Sequence, residues 1–299
     1  MICCVDTSNI FFICWSMFLK DYKEKNGEDS LVKEEDLGLF YHMLFRKMME
    51  YLSTYKDVVL CYEGPHSTAW RKKIWPPYKE NRKKDDPNFK WVGQLMEKTY
   101  DFFSLFHTKN LKVENCEGDD CIYATCKYYS EKGEQVRIVS TDKDLSQIMN
   151  YYDTVSQYNP IKKQNVNKNE NILIEKALIG DMSDNIKAIR GIGEKTLSKM
   201  LEDKNVWNKK MTPENQLLYE KVMQIIDLRQ YPKEYQKSIE VELDKSFNEF
   251  KPIDIEKFLI DNGLKQCYND WVGKWLPDIQ ALNFEHEDAM DEIMDMLGE

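Results

Sequence analysis

Five short β-prone runs alternate with longer helical stretches, and this alternation limits the fold more than any other feature of the chain. Met1–Val5 is apolar and stops at Asp6. Asp57–Tyr62 (DVVLCY) is rich in β-branched residues and stops at Glu63. Leu111–Cys116 runs into Glu117, Val136–Ser140 into Thr141 and Asp142, and Tyr152–Tyr158 is a fifth run. Between them, Glu34–Leu52 places Leu37, Phe40, Tyr41, Leu44, Phe45, Met48 and Leu52 on one stripe, and Trp91–Phe106 reads as another helix. The alternation predicts an α/β fold with a mainly parallel central sheet flanked by helices. From Ile172 onward the pattern is helical. The expected organisation is an α/β domain over 1–180, a helical domain over 181–280 and an acidic tail over 281–299.

The acids follow the strands. In an open parallel sheet the carboxyl ends of the strands share one rim, where ligands bind. Asp6, Glu63, Glu117 and Asp142 are therefore expected to converge. Asp119 and Asp120 (EGDD), Asp144 (STDKD), and Asp181 with Asp184 (GDMSDN) join them. So many carboxylates in one place raise one another's pKa values, and Lys143 is the single basic residue inside these motifs. Divalent cations are the expected remedy. Oxygen ligands favour magnesium or manganese over zinc, and the number of acids suits two ions ~4 Å apart. Each acid also has a plainer role as a cap or turn residue: Asp6 with Thr7 and Ser8, Asp119 and Asp120 at a helix start, Asp181 and Asp184 in a turn. Capping alone does not account for acids at four strand ends.

A net charge of −10 over 299 residues repels nucleic acid unless local patches escape the average. Two do. Residues 69–90 carry eight Lys or Arg against three acids, with Trp75 and Tyr78 interleaved and Trp91 just beyond. Cations for phosphates and aromatic faces for unstacked bases are what a single-strand path needs. Pro76, Pro77 and Pro87 forbid one unbroken helix, so 66–90 is expected as an arch, lid or long functional loop. Residues 187–210 carry seven Lys or Arg against three acids. Within them, Ile189–Thr196 (IRGIGEKT) reads as a helix–hairpin–helix turn, whose amides bind phosphate without reading sequence.

Other chemistries are excluded. GIGEKT is no P-loop, because Glu194 separates Gly193 from Lys195 and the upstream glycine is missing. No second acid follows Asp6 as an aspartyl phosphatase requires. Four histidines leave no Ser-His-Asp or Cys-His set. The eight cysteines include no Cys-x-x-Cys pair, and the five-residue spacing of Cys116, Cys121 and Cys126 suits no zinc knuckle, so reduced thiols of a cytoplasmic protein are expected. The apolar run Ile10–Leu19 is shorter than the ~20 residues that span a bilayer, and neither a signal peptide nor an anchor is expected.

Together these motifs resemble the 5′-nuclease superfamily of flap endonucleases and 5′–3′ exonucleases, most closely the T-even phage RNase H type. The likeness rests on Val5–Asn9, on Trp70-Arg71-Lys72 with Tyr78-Lys79 and Arg82, on Glu117–Asp120, on Ser140–Asp144, and on Gly180–Asn185 followed by Gly191-Ile192-Gly193. It covers about residues 1–200. The resemblance implies a PIN-like nuclease domain and two-metal hydrolysis of DNA or RNA–DNA hybrid with a 5′ end or flap, as in primer and flap removal during replication. It implies metal ligands at Asp6, Glu117, Asp119, Asp120, Asp142, Asp144, Asp181 and Asp184. Glu63 joins them as a departure, since the family usually has Asp there and the extra methylene moves the carboxylate by ~1.5 Å. Gly118 stands where the family has Ala. The helical arch maps onto 66–90, with Lys79 and Arg82 at the scissile phosphate and Arg71, Lys72 and Tyr78 as further DNA contacts. A helix–three-turn–helix element maps onto 186–200, with Arg190, Gly191, Gly193, Lys195 and Thr196 on DNA and, as in relatives, a potassium ion held by backbone carbonyls.

Two other readings stay open: a DNA-junction binding protein without catalysis, and a PIN-type ribonuclease. In the tail, Met290, Ile293, Met294 and Leu297 have helical spacing among acids and suit a partner groove, such as that of a sliding clamp or single-strand-binding protein. The expected protein is a monomer with no membrane partner.

Overall fold

The computed structural model describes residues 1–82 and 86–283. In chain order the strands and α-helices are β1 (Ile2–Asp6), α1 (Thr7–Asn26), α2 (Leu37–Leu52), β2 (Asp57–Cys61), α3 (Ala69–Ile74), α4 (Val92–Phe103), β3 (Thr108–Leu111), α5 (Gly118–Glu131), β4 (Val136–Val139), β5 (Val155–Asn159), β6 (Gln164–Asn165), α6 (Ile172–Ile179), α7 (Glu194–Glu202), α8 (Lys204–Lys210), α9 (Pro213–Ile226), α10 (Lys233–Asp244), α11 (Pro252–Asp261) and α12 (Lys265–Asp270). The six strands form one mostly parallel sheet in the order β3-β2-β1-β4-β5-β6. β4 and β5 pair in parallel, with Val136 opposite Val155 and Val139 opposite Tyr158, and the short β6 runs antiparallel to β5. This is the α/β class that the alternation predicts.

The chain divides into two compact units. The first is Met1–Leu60, Pro87–Asn110 and the segment from Lys245 onward; the second is Cys61–Asp86 and Leu111–Asp244. The first unit has an aromatic core. Phe11, Phe18, Phe40, Phe45, Phe102, Phe103 and Phe106 are all buried, and the rings of Phe45 and Phe102 stack at 4.0 Å. The stripe expected on α2 is that core's contribution. The second unit packs Ala177, Ile186, Val222 and Ile225 in one cluster and Leu178, Ile189, Ile192, Leu197 and Met200 in another. All eight cysteines are buried, and none is joined in a disulfide. Among the described residues, no helix is long and apolar enough to cross a membrane.

Two local expectations need correction. The third strand is Thr108–Leu111, not Leu111–Cys116. Past Leu111 the chain turns through Asn115 (φ 61), whose N–H donates to Pro65 O at 2.7 Å, while the Gly64 N–H donates to Cys116 O at 3.0 Å. Backbone approaches so closely here that a Cβ on Gly64 would lie 1.7 Å from Val113 O. Glu117 is therefore not a strand-end residue but the N-cap of α5. The second correction concerns residues 66–90. Ala69–Ile74 is a helix whose Trp70 and Arg71 are buried, so this part of the segment packs inward.

Candidate active site

Arg71 organises one half of the site in the second unit. Its guanidinium is 2 % exposed. Nη1 donates to Asp120 Oδ2 at 2.9 Å and Nη2 to Asp120 Oδ1 at 2.5 Å. Nη1 also lies 2.7 Å from Glu117 Oε2, and Nε donates to Ile225 O at 3.0 Å. Glu117 and Asp120 are fixed in turn by the start of α5, where each carboxylate accepts from the other's end of a reciprocal cap; Glu117 N–H reaches Asp120 Oδ2 at 2.9 Å. The Tyr78 hydroxyl donates to Glu117 Oε2 at 3.0 Å, and the Lys79 ammonium bonds the other Glu117 oxygen. Every oxygen of these two carboxylates thus has a donor from the protein.

The charges follow from that geometry. Burial alone would raise the Glu117 carboxyl, but Arg71 and Lys79 outweigh it and hold it at about 2, below its ordinary 4.5. Burial likewise opposes the charge on Lys79, and Glu117, Glu63 and Asp184 more than restore it, so its pKa is raised. A carboxylate depressed in the folded state contributes stability that is complete above its unfolded pKa and is lost as the pH falls through the folded one. Asp181, held at about 2 against an ordinary 3.8, acts in the same sense; Asp144, which burial pushes up, opposes it. Thermal unfolding in chelator is therefore expected to show a steady midpoint above about pH 5 and a decline between about 4.5 and 2. Glu117→Gln should lower the neutral-pH midpoint and flatten that decline. A decline of unchanged depth would show that Glu117 does not carry it.

The other half gathers around Lys176. Asp144 opens the 3-10 turn Asp144–Asn150 after β4, and Asp181 and Asp184 lie in the loop after α6. Each of the three offers a carboxylate oxygen, and these lie within 4.8 Å of one another. Lys176, near the end of α6, is 11 % exposed at its side chain. Its ammonium bonds Asp144 and lies 2.8 Å from Asp181 Oδ2 and 3.0 Å from Asp184 Oδ2. Burial opposes its charge, but the three carboxylates keep its pKa well above the ordinary value. Arg82 Nη2 donates to Asp184 Oδ1 at 2.9 Å. The Asp144 N–H donates to Asp142 Oδ1 at 2.8 Å.

These cations come from outside the acid motifs, whose own single basic residue, Lys143, is exposed. The fit to a divalent ion then differs between the halves. Glu117 and Asp120 are saturated by Arg71, Lys79 and Tyr78. Asp144, Asp181 and Asp184 bring three negative charges against one ammonium and the outlying Arg82, and their all-oxygen donor set suits a hard cation. Lys176 escaped the sequence reading. The available signal was a lone cation in the apolar run ILIEKALI, five residues before Asp181.

The remaining candidates fall as follows. Asp6 belongs to the first unit, where it ends β1 and caps α1 by accepting the Asn9 N–H at 3.0 Å. Glu63, Asp119 and Asp142 are half-buried in the second unit, and Asp119 lies in the first turn of α5. Lys72 is exposed, whereas Arg71 and Tyr78 are buried against carboxylates instead of facing outward as DNA contacts would. Arg190, Gly191, Gly193 and Lys195 are exposed and Thr196 half-buried on a turn footed by the buried Ile189 and Ile192. Gly191 adopts φ 80, which favours glycine, and Gly193 caps α7. Lys210 Nζ donates to Gly191 O at 3.1 Å.

Residues 1–177 match the 5′-3′ exonuclease, N-terminal resolvase-like domain. The chain belongs to this 5′-3′ exonuclease family. The 5′-3′ exonuclease of Aquifex aeolicus is 31 % identical over 174 residues, covering 54 % of this chain and 57 % of that protein. Ribonuclease H of Enterobacteria phage T4 is 29 % identical over 145 residues, covering 46 % and 47 %. DNA polymerase I of Bacillus subtilis is 29 % identical over 174 residues, or 54 % of this chain and 19 % of the polymerase. In each case the match covers less than two thirds of the relative. Among solved structures, the T5 D15 protein co-crystallized with metal ions superposes with a TM-score of 0.53 at 18 % identity, covering 87 % of this exonuclease-family chain and 97 % of that one. At that identity the likeness establishes the fold, which is PIN-like.

Proposed function

We propose that this family member is a divalent-metal-dependent, structure-specific 5′ nuclease. It would hydrolyse phosphodiesters of DNA or RNA–DNA hybrid at a 5′ end or flap, as in removal of primers and flaps during replication. The observation that carries the reading is the nest of Asp144, Asp181 and Asp184 with Arg82 bonded to its edge and the Lys79 N–H donating to Asp184 O at 3.0 Å. Relatives named 5′-3′ exonuclease and Ribonuclease H support the substrate class.

Asp144, Asp181 and Asp184 would hold a divalent ion, with Asp142 beside them. Within the second unit, Glu63 and Asp119 are the remaining candidates for a second. Magnesium is our assignment, with manganese as a substitute. When bound, such ions activate water and neutralise charge on the phosphoryl group. The chain's own contribution comes from Lys79 and Arg82, which would stabilise negative charge growing on the scissile phosphate, leaving a 5′-phosphate and a 3′-hydroxyl. Arg71 and Tyr78 hold Glu117 and Asp120 in place. Lys72 and the 189–196 turn would bind backbone phosphates. Backbone carbonyls of that turn would hold a potassium ion. The tail proposed to engage a clamp or single-strand-binding protein lies, from residue 284, outside the described residues.

Digesting labelled 5′ flap, nicked duplex, RNA–DNA hybrid and single-stranded RNA side by side, in magnesium and in chelator, tests the proposal. Metal-dependent cutting at 5′ ends or flaps is expected. Tight junction binding without cutting would favour the binding protein, and cutting of single-stranded RNA alone the PIN-type ribonuclease. Lys79→Ala should slow single-turnover cleavage about 10²-fold while changing binding little. An unchanged chemical step would remove Lys79 from the site.

A further inference from the structure

The loop that carries Asp181 and Asp184 is bound to the segment that carries Lys79 and Arg82 by a run of hydrogen bonds, most of which involve no charged side chain. The Asn185 side-chain amide donates to Pro77 O at 2.8 Å, and the Trp75 indole N–H donates to Asn185 O at 3.1 Å. The Asn81 amide donates to Met182 O at 2.5 Å, and the Lys79 N–H to Asp184 O at 3.0 Å. Two of the residues in this seam hold left-handed backbone, Lys79 at φ 54 and Asn185 at φ 56. Asn tolerates that conformation, but a lysine there is strained and is kept only where its surroundings fix it. Its N–H on Asp184 O fixes the backbone, and its ammonium on Glu117 fixes the side chain.

From this geometry we infer that Asn185 and Trp75 are positioning residues: they latch Trp75–Arg82 to the acidic loop, so that ordering of the loop and placement of Lys79 and Arg82 are one event. Asn185 is the centre of the latch because it uses both ends. Its amide takes the Pro77 carbonyl, and its backbone carbonyl takes the Trp75 indole. The turn at Pro77 lies two residues before Lys79, so a shift there moves the Lys79 ammonium relative to Asp184. Trp75 is partly buried against the cluster of Tyr78, Ala177 and Ile186, which anchors the latch to the core of the second unit. Linkage is reciprocal: whatever holds the acidic loop still must also hold the Lys79 segment still.

The inference rests on the nuclease reading for its kinetic consequence but not for its structural one, so the test has two arms on the full-length protein. The variants are Asn185→Gly, which accepts φ 56 without strain and removes the amide, and Trp75→Phe, which removes the indole donor while keeping an aromatic ring on the cluster. In the first arm, hydrogen–deuterium exchange of residues 78–82 is followed with and without manganese. Exchange at Lys79 is expected to slow on adding the ion to the parent and to stay fast in both variants, whose thermal midpoints confirm folding. In the second arm, single-turnover cleavage of a 5′ flap should fall about 10–100-fold in Asn185→Gly at unchanged substrate affinity. In a Lys79→Met background the same change should cost little further, since its effect runs through Lys79. Equal slowing by manganese in parent and variants, or effects of Asn185→Gly and Lys79→Met that simply multiply, would overturn the latch. A parent that cuts none of the substrates would overturn the nuclease reading instead, and the exchange arm would still decide the latch.

Discussion

Arg71→Met is expected to destabilise the second unit by about 3–5 kcal/mol, the usual result of removing one partner from a buried ion pair. Arg71 is nearly fully buried, and its guanidinium satisfies both oxygens of Asp120, one of Glu117 and the carbonyl of Ile225. Methionine keeps the aliphatic stem and so limits the cavity, which isolates the loss of charge. What remains, among the described residues, is two carboxylates with Lys79 as their one charged partner, and the capping box that starts α5 would lose its counter-charge. At about 2–4 °C per kcal/mol for a unit of ~150–250 residues, the midpoint should fall by roughly 6–20 °C. Asp120→Asn in the Arg71→Met background should recover part of the loss, because it removes the stranded charge while keeping the side chain's shape. Additive losses in that cycle, or a single-variant cost under about 1 kcal/mol, would show that the pair is solvated in a way its burial does not suggest.

How much of this was legible depended on whether the physics was local. β1, β2, β4 and β5 announce themselves as short apolar or β-branched runs, and the structure has each within a few residues of the expected place. β3 does not, because Thr-Lys-Asn-Leu carries too little apolar pattern to register. Its neighbour Leu111–Cys116 looked better and is broken by Asn115, whose turn is fixed by a bond to Pro65, fifty residues away in sequence. The acid motifs were legible because type and spacing survive in the sequence. The cations that face them were not. Arg71 stands in the run Arg71-Lys72-Lys73, which reads as part of a basic patch for nucleic acid. Only the pitch of α3 separates the buried Trp70 and Arg71 from the exposed Lys72 and Lys73. Lys176 reads as a tolerated charge in an apolar helix until tertiary structure brings Asp144 across to it, 32 residues distant in sequence. Capping was legible in part: the helix-start roles read for Asp6 and Asp120 are present, while the Glu117 cap was hidden by the misplaced third strand.

Asp144→Asn with Asp184→Asn is expected to abolish cleavage in magnesium, by about 10³-fold or more, while 5′-flap binding in calcium persists. Each substitution keeps the shape and removes one negative charge from the three-carboxylate nest. Losing several kcal/mol of metal-derived stabilisation of the transition state corresponds to a rate loss of that size. Stability should move far less than activity. In the parent without metal, Lys176 is shared among Asp144, Asp181 and Asp184; in the double variant Asp181, 2.8 Å from the ammonium, still neutralises it, and the repulsion among the acids is relieved. The two effects oppose each other, so the thermal midpoint in chelator should change little, and an inactive variant cannot be dismissed as an unfolded one. Manganese binding followed calorimetrically should weaken at least ~10-fold, since the site drops from three charged donors to one. A double variant that binds manganese normally and cuts at a rate within tenfold of the parent would place the reacting ions elsewhere. The nest around Lys176 would then be a structural ion-pair network, and the assignment of Lys79 and Arg82 to the scissile phosphate would lose the site that gives it meaning.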